Sequence, residues 1–134
     1  MRGQKIWRRS KLTEPGIDQN RLLLIAHVCH EAMRAYRAAL GEDELPPWDE
    51  AEPWQVESTL AAVRFRMAHP DAPPGVQHEQ WMEEKRASGW RHGAVRDNAR
   101  KMHPMMMPFN DLPDTEKRKD VLIQKVVDAF LEDV

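Results

Sequence analysis

The sequence predicts a mainly α-helical fold: two antiparallel helical hairpins that face each other with approximate two-fold symmetry. Apolar residues recur every three or four positions along four stretches, which is the period of an amphipathic helix. The chain also resembles itself, because one helix–loop–helix pattern occurs twice. A single hairpin cannot bury its apolar face alone, whereas two facing hairpins can.

The first half of the chain predicts one hairpin. Its first helix starts near Asp18 and ends at Gly41. The apolar face of this helix is Leu22, Ile25, Cys29, Met33, Tyr36 and Leu40. After a proline-rich acidic connector at 45–49, Pro53 suits the first turn of a second helix, where its missing N–H costs nothing. The second helix ends near residues 69–70, and its face is Val56, Leu60, Val63 and Met67.

The second half predicts another hairpin with a much longer connection. A third helix spans 77–88 and is broken by Gly89, and a fourth starts near Pro113. The fourth helix places Leu122, Val126, Ala129 and Phe130 on one face, with Ile123 and Val127 beside it. Residues 90–108 between these helices have no clean period, and short extended pieces could form near 105–107.

The internal repeat predicts where a site lies. His30-Glu31 and His78-Glu79 start the same pattern, and each copy later has a proline–aromatic block, at 47–53 and at 108–113. The half-repeats therefore cover about 18–69 and 77–134. The second copy carries residues 90–107 where the first has only 42–46. Long loops in compact domains are usually functional or disordered, and Trp90 with the methionines at 105–107 favours an ordered loop.

Composition bounds the class of protein. The chain has 134 residues, 41% of them hydrophobic, with a formal net charge of −2, which fits one domain at 18–134 and demands no polyanionic partner. Residues 1–17 are interpreted as a flexible basic arm. One cysteine, Cys29, excludes a disulfide framework and is expected in the core. The pattern shows neither a signal peptide nor a membrane span, so a cytoplasmic protein is expected.

One run of residues is similar to a known family signature. The run Gly89-Trp90-Arg91-His92-Gly93-Ala94-Val95-Arg96-Asp97 resembles the GW-x-YG-xx-RD motif of RyR (ryanodine receptor repeat) domains. The order continues through Lys101-x-His103-Pro104, Pro108-Phe109 and Leu112-Pro113-x-x-Glu116-Lys117, and His78-Glu79-Gln80-Trp81 matches the family's H-E-x-W upstream. The likeness is close over about 77–120. The first half resembles the extension of free-standing bacterial and phage members.

The resemblance implies a fold and a type of ligand. It implies antiparallel helix pairs with short strands in the loop, and no established catalytic activity. In the animal channels, paired repeats of this family form a cleft for adenine nucleotides, and the tryptophan of H-E-x-W, here Trp81, contributes stacking. His92 replaces the family's usual tyrosine, which puts any role of that phenol in doubt.

The residues themselves suggest a stacking platform beside cations. His78, Trp81 and Lys85 share one helix face, and Trp90 could form an opposite wall. Arginine side chains of the loop could meet phosphate, although Arg96 could instead tie the loop to Asp97, Glu79 or a carbonyl. Trp81 could equally be a core residue. The predicted ligand-binding residues are Trp81, Lys85, Trp90, Arg91, His92, Arg96, Lys101 and His103.

Other chemistry finds little support in the sequence. His27 and His30 could share a face, but no zinc-binding spacing is present, so neither a metal nor a cofactor is predicted. The His-Glu pairs at 30–31 and 78–79 are expected to cap or brace each hairpin. No nucleophile motif accompanies Cys29, so the chain is predicted not to be an enzyme.

The sequence therefore predicts a non-catalytic binding module for an adenine-nucleotide-like small molecule. The alternative is a protein-interaction or structural module, homodimeric or not, suggested by the acidic connector, the basic loop and two tryptophans interpreted as exposed, Trp48 and Trp54. Nucleic-acid binding through residues 2–11 is a third hypothesis, against which the near-neutral charge weighs.

Overall fold

A computed structural model describes residues 18–132 of the chain. The predicted basic arm, residues 1–17, lies outside the described residues. In chain order the elements are α1 (Gln19–Ala39), α2 (Pro53–Ala68), α3 (Pro74–Ala87), β1 (Arg91–His92), β2 (Met102–His103) and α4 (Asp114–Leu131). Short 3-10 turns at Trp48–Glu50 and Phe109–Asp111 precede α2 and α4.

The first helix has the predicted bounds, and its ends show why. The Asp18 carboxylate accepts the N–H of Asn20 at 2.9 Å and so caps one free donor of the first turn. At the other end Gly41 has φ of 76°, a left-handed conformation that most side chains disfavour, and it ends the helix. Of the predicted face, Leu22, Ile25 and Cys29 are buried, while Leu40 is exposed.

Prolines set the starts of the next two helices. Pro53 lies in the first turn of α2, as predicted, and Gln55 Oε1 accepts the N–H of Glu52 at 3.1 Å. Helix α3 begins at Pro74, three residues before the predicted start at 77. The prediction treated the Pro-Gly sequence as loop, but a proline in the first turn loses no hydrogen bond, and Gly75 is tolerated because it packs against Phe109.

Helices α1, α2 and α4 together bury the main core. Its members are Leu22, Ile25, Ala26, Cys29, Leu60, Val63, Met67, Val127 and Leu131. The predicted face of α4 was correct in part: Val126 and Phe130 pack against the core, with Ile123 and Val127 beside them. Ala129 is exposed, however, and Gln124 and Leu131 are buried. The face is rotated because α4 packs against all three other helices, and Gln124 is accommodated there by donating to Ala72 O at 2.9 Å.

Helix α1 contacts α2 and α4, helix α3 contacts α2 and α4, and α2 also contacts α4. These contacts confirm the mainly helical architecture. The grouping of the helices into two hairpins related by an approximate two-fold rotation stays a prediction.

The two copies of the repeat have the same local bracing. His30 Nε2 lies 2.7 Å from Pro46 O, and His78 Nε2 lies 2.8 Å from Met107 O. Each carbonyl directly precedes a proline–aromatic block, and each block forms a 3-10 turn. Glu31 adds a second brace in the first copy by accepting the N–H of Trp48 at 3.0 Å. The predicted bracing role is thus confirmed for both histidines.

The long loop is folded and forms a small parallel sheet. β1 pairs with β2 so that Arg91 lies opposite Met102 and His92 opposite His103. The extended pieces predicted at 105–107 were wrong, because the chain turns there. His103 Nδ1 accepts the N–H of Met105 at 3.1 Å, and the N–H of Met107 donates to Met105 O.

Two tryptophans interpreted as exposed are half-buried. Trp48 packs against the core and stacks on His27, with ring centroids 5.7 Å apart. Trp54 packs against Trp90 with centroids 5.4 Å apart. That part of the argument for a protein-interaction surface was therefore wrong. None of the described helices is long and apolar enough to cross a membrane.

Candidate ligand-binding site

A cavity of about 680 Å³ lies between the helices and the long loop. This volume is within the range of small-molecule sites in proteins. Helix α3 forms one wall with Gln77, Gln80, Trp81 and Lys85, which recur at spacings of three and four and so share a face. The other helices and the segment 90–105 contribute the remaining lining.

An ammonium group between two indoles marks one end of the cavity. Lys85 Nζ lies 4.7 Å from the ring centroid of Trp54 and 5.2 Å from that of Trp90. The side chain is buried, with Glu84 Oε1 3.7 Å away. Burial lowers the pKa of Lys85, while Glu84 opposes that shift. Cation–π contacts help to hold a buried charge that burial would otherwise disfavour.

Trp81 lines the cavity beside two histidines. Its ring stacks on that of His78 at 5.4 Å and 24°, and the His103 ring meets it edge-on at 5.0 Å. The indole is half-buried, so it is part of the packing and also of the cavity wall. The two roles that the sequence leaves open for Trp81 are therefore compatible.

His103 is neutral at ordinary pH. Burial, and then the nearby cations Arg96 and Lys85, lower its pKa to about 3. Because Nδ1 accepts the N–H of Met105, the ring proton is on Nε2. His103 therefore offers the site a neutral hydrogen-bond donor without adding a charge.

His78 and Asp120 form a buried pair in the same wall. His78 Nδ1 lies 3.4 Å from Asp120 Oδ2, while Nε2 donates to Met107 O. Burial lowers the pKa of His78, but the contacts with Asp120 and Met107 outweigh it, so the pKa is raised. Burial raises the pKa of Asp120. Both ring nitrogens of His78 are thus committed within the protein.

The lining contributed by α1, α4 and the connector after α1 holds charges that mostly pair with one another. Lys119 Nζ donates to Glu42 and lies equally close to Glu116, each at 2.7 Å. Arg37 Nε lies 3.5 Å from Glu42. Among residues 18–132, the lining contains four cations and four acids: Arg37, Lys85, Arg96, Lys119, Glu42, Asp43, Glu116 and Asp120. This balance suits a ligand of low charge better than a polyanion.

The structure brings together five of the eight predicted ligand-binding residues. Those lining the cavity are Trp81, Lys85, Trp90, Arg96 and His103. The predicted alternative for Arg96, a pairing with Asp97 or Glu79, was wrong, because Arg96 Nε donates to Asn98 Oδ1 at 3.2 Å.

The other three predicted residues lie outside the cavity lining. Arg91 and His92 are exposed on β1. Lys101 Nζ donates to Ser88 O at 2.8 Å and so satisfies a carbonyl at the end of α3. Lysine near the last carbonyls of a helix is a common stabilising arrangement. Consecutive residues of a motif thus divide between the loop's outer surface and the cavity.

Several lining residues were missed because they lie on helices outside the loop. Arg37 continues the spacing of Cys29 and Met33 on α1, and Glu116 and Lys119 precede Ile123 on α4 at the same kind of spacing. The available signal was a charged residue that extends an apolar stripe.

The cysteine thiol and the metal-ligating side chains of the described residues offer little reactive chemistry. Cys29 is fully buried, and burial raises its pKa to about 12, so the thiol stays protonated. Within residues 18–132, no group of three His, Cys, Asp or Glu side chains could hold a metal ion.

Comparison with known proteins shows that one segment of the chain matches a known family. Residues 72–131 match the model of a family described as the RyR domain. The matched segment comprises α3, the long loop and α4, while α1 and α2 precede it. No solved structure matches the chain.

Proposed function

We propose that this chain, whose residues 72–131 match the RyR domain family, is a non-catalytic binding module for a nucleotide-like small molecule. One observation carries the proposal: the long loop of the RyR segment lines a cavity of about 680 Å³ whose walls combine indole rings with cations. The preceding hairpin contributes Arg37 and Trp54 to that cavity, so both halves would contact the ligand.

The wall chemistry supports an aromatic ligand with a modest negative charge. Trp81 offers an indole, and stacking of a base on an aromatic side chain contributes about 1–3 kcal/mol. Arg96 lines the cavity with a guanidinium that can donate to phosphate oxygens. Because acids balance the cations, the proposal favours a nucleoside or a monophosphate over a triphosphate.

The non-catalytic part of the proposal rests on the protonation of the lining groups. Cys29 has a raised pKa and His103 a lowered one, so the first is no nucleophile and the second is a weak base. His78 is occupied by Met107 and Asp120. These groups suit holding a ligand more than transferring a proton.

Calorimetry with adenosine, AMP, ADP and ATP tests the proposal. We expect binding of adenosine or AMP to the native protein, weakened about tenfold or more by Trp81→Ala, since a stacking contact is lost. Arg96→Ala should weaken AMP more than adenosine. Arg91→Ala is the matched control, because Arg91 is exposed and outside the cavity.

Two results would refute this function. One is the absence of heat and of any thermal shift with all four compounds at millimolar concentration. The other is binding that Trp81→Ala leaves unchanged, because the ligand would then occupy a different surface.

An exposed apolar stripe supports a second candidate, self-association. Leu23, Leu24 and Val28 on α1 are 39%, 44% and 37% exposed. Contiguous apolar surface of this kind is a feature of interaction sites. Sedimentation across a hundredfold concentration range should then show a dimer that Leu24→Lys dissociates; a constant monomer mass would remove this candidate.

A further inference from the structure

We propose that the cavity selects ligands that carry an amino group at one end and an anionic group at the other, received by Gln77 and Lys85 respectively. The inference rests on the proposed function, since it assigns chemistry to the same cavity. It goes further by naming the ligand group that each residue would contact.

The Gln77 side chain supplies the first half of the argument. It is only 2% exposed, lines the cavity, and its Nε2 donates to Ala62 O at 3.1 Å. Because a carbonyl oxygen can only accept, this bond fixes which end of the amide is nitrogen. Oε1 is then an acceptor of known position, and it is buried without a partner among the described residues. A buried unpartnered acceptor costs about 1–3 kcal/mol, which a ligand donor would recover.

Gln80, one turn further along α3, adds an adaptable amide to the same wall. Its Oε1 is also buried without a hydrogen-bond partner in the described part of the chain, and it lines the same cavity. Because no hydrogen bond fixes which end of the Gln80 amide is nitrogen, this side chain can present either its oxygen or its NH2 group to a ligand. The preference for a ligand amine therefore depends on Gln77.

Lys85 supplies the second half. Its ammonium is 4% exposed and lies between two indoles, with Glu84 as its nearest acid at 3.7 Å, beyond hydrogen-bond distance. An ammonium has three donors, and aromatic faces satisfy its charge without accepting directed hydrogen bonds from all of them. An anionic group entering this end of the cavity would provide such acceptors.

The two residues are separated along one helix wall. Eight positions at 1.5 Å rise place Gln77 and Lys85 about 12 Å apart along α3. Trp81 lies midway and lines the cavity between them. A ligand would therefore place its N–H donor, its flat ring and its anion in that order along the wall.

Matched nucleotide pairs test the donor requirement by calorimetry. AMP and CMP each carry an exocyclic amine where IMP and UMP carry a carbonyl. We expect AMP to bind about tenfold more tightly than IMP, and CMP more tightly than UMP, since the wrong ligand leaves a buried acceptor unpaired. Gln77→Met should bring both ratios close to one.

Gln124→Met provides the control for Gln77→Met. Gln124 is equally buried and donates to a backbone carbonyl at 2.9 Å, but it does not line the cavity. The Gln124→Met variant should lose a similar amount of unfolding free energy to Gln77→Met, while its ratio of AMP affinity to IMP affinity stays that of the native protein. For the anion, Lys85→Met should reduce the preference for AMP over adenosine about tenfold, whereas Arg86→Met, an exposed neighbour on α3, should not.

The outcomes separate this inference from the proposed function. If the native protein binds the amino and the carbonyl nucleotides equally well, the assignment of Gln77 is overturned, and water is the partner of its Oε1. The proposed binding function would still stand. A native preference that Gln77→Met preserves would overturn the assignment of Gln77 too. An unchanged AMP/adenosine ratio in Lys85→Met overturns the anion assignment, and failure of every ligand to bind overturns both proposals.

Discussion

The Arg66 guanidinium and the Asp128 carboxylate form a two-pronged ion pair between α2 and α4. Arg66 Nε donates to Oδ1 at 2.9 Å, and Nη2 donates to Oδ2 at 2.8 Å. Nη1 donates to Ala72 O at 2.8 Å, so the same side chain also fixes the loop before α3. The hydrogen bond from Arg66 lowers the pKa of Asp128. The buried Arg66 side chain thus connects α2, α4 and the loop before α3 through satisfied hydrogen bonds.

Removing the carboxylate charge should destabilise the fold. Asp128→Asn leaves the Arg66 charge buried without its partner, and we expect a loss of about 2–3 kcal/mol in the free energy of unfolding, measured by urea denaturation. The figure is below the range for fully buried pairs because Asp128 is 29% exposed. Glu57→Gln, an exposed acid on α2, should change stability by under about 0.5 kcal/mol. A similar loss in both variants would contradict this reading.

The hydrogen bonds of His30 and His78 to backbone carbonyls should contribute similar amounts to the free energy of unfolding. Phenylalanine at position 30 or 78 keeps an aromatic ring but removes the hydrogen bond to Pro46 O or Met107 O. Each variant should lose about 1–3 kcal/mol, since a part-buried carbonyl loses its donor. His92→Phe, on exposed β1, is the control and should be nearly neutral in thermal denaturation. A neutral His30→Phe beside a damaging His78→Phe would show that the two copies of the repeat differ in energetics.

Gly93 should not tolerate a side chain. A Cβ there would lie 2.5 Å from Met102 Cε and 2.8 Å from Met102 Cβ, so β1 and β2 would have to separate. We expect Gly93→Ala to cost about 1–3 kcal/mol and to disturb the loop, visible as changed amide shifts for residues 90–103. Gly75→Ala is the matched control. Its Cβ would lie 3.6 Å from the Phe109 ring, an ordinary contact, and alanine in a helix should add about 0.5–1 kcal/mol.

His103 should make the fold sensitive to mild acid. Its pKa is about 3 in the folded protein and about 6.5 when exposed, so the unfolded chain binds the proton first as pH falls. The stability that the neutral His103 contributes is fully present above pH 6.5 and is lost progressively as the pH falls toward 3. By pH 5 the loss from this residue is about 1–2 kcal/mol. The difference in unfolding free energy between native protein and His103→Gln should therefore shrink between pH 7 and pH 5.

Comparing His103→Gln with the native protein also cancels the pH dependence that His78 contributes, which has the opposite sign. His78 has a raised pKa, so its stabilising contribution is present below pH 6.5 and is lost as pH rises through the folded value. Both proteins contain that contribution, and it cancels in the difference. A difference that does not vary with pH would mean that folding does not lower the pKa of His103.

The sequence was most informative where local chemistry decides structure. Four helices, the proline start of α2 and the stop at Gly41 follow from periodicity and backbone preferences. The RyR motif and the ordered long loop were also predicted correctly, as were the two histidine braces. The start of α3 was missed by three residues because a Pro-Gly pair resembles loop as much as the first turn of a helix.

Tertiary packing decided the composition of the candidate site. Trp54 approaches Lys85 only because α2 lies against α3, and no spacing along the chain encodes that contact. The same applies to Lys119, which reaches Glu42 across 77 positions. The loop motif, in contrast, was over-interpreted as a unit, since Arg91 and His92 lie on its exposed side.

By itself, then, the sequence determined which segments are helical, which segment belongs to a known family and which loop is unusual. It did so because these properties depend on residue type and on spacing within a few turns. Only the tertiary structure decided that α4 buries Gln124 in place of Ala129, and that an acceptor, an indole and an ammonium face one cavity. Those outcomes depend on how four amphipathic faces rotate to fill a shared interior, which no single stretch of sequence specifies.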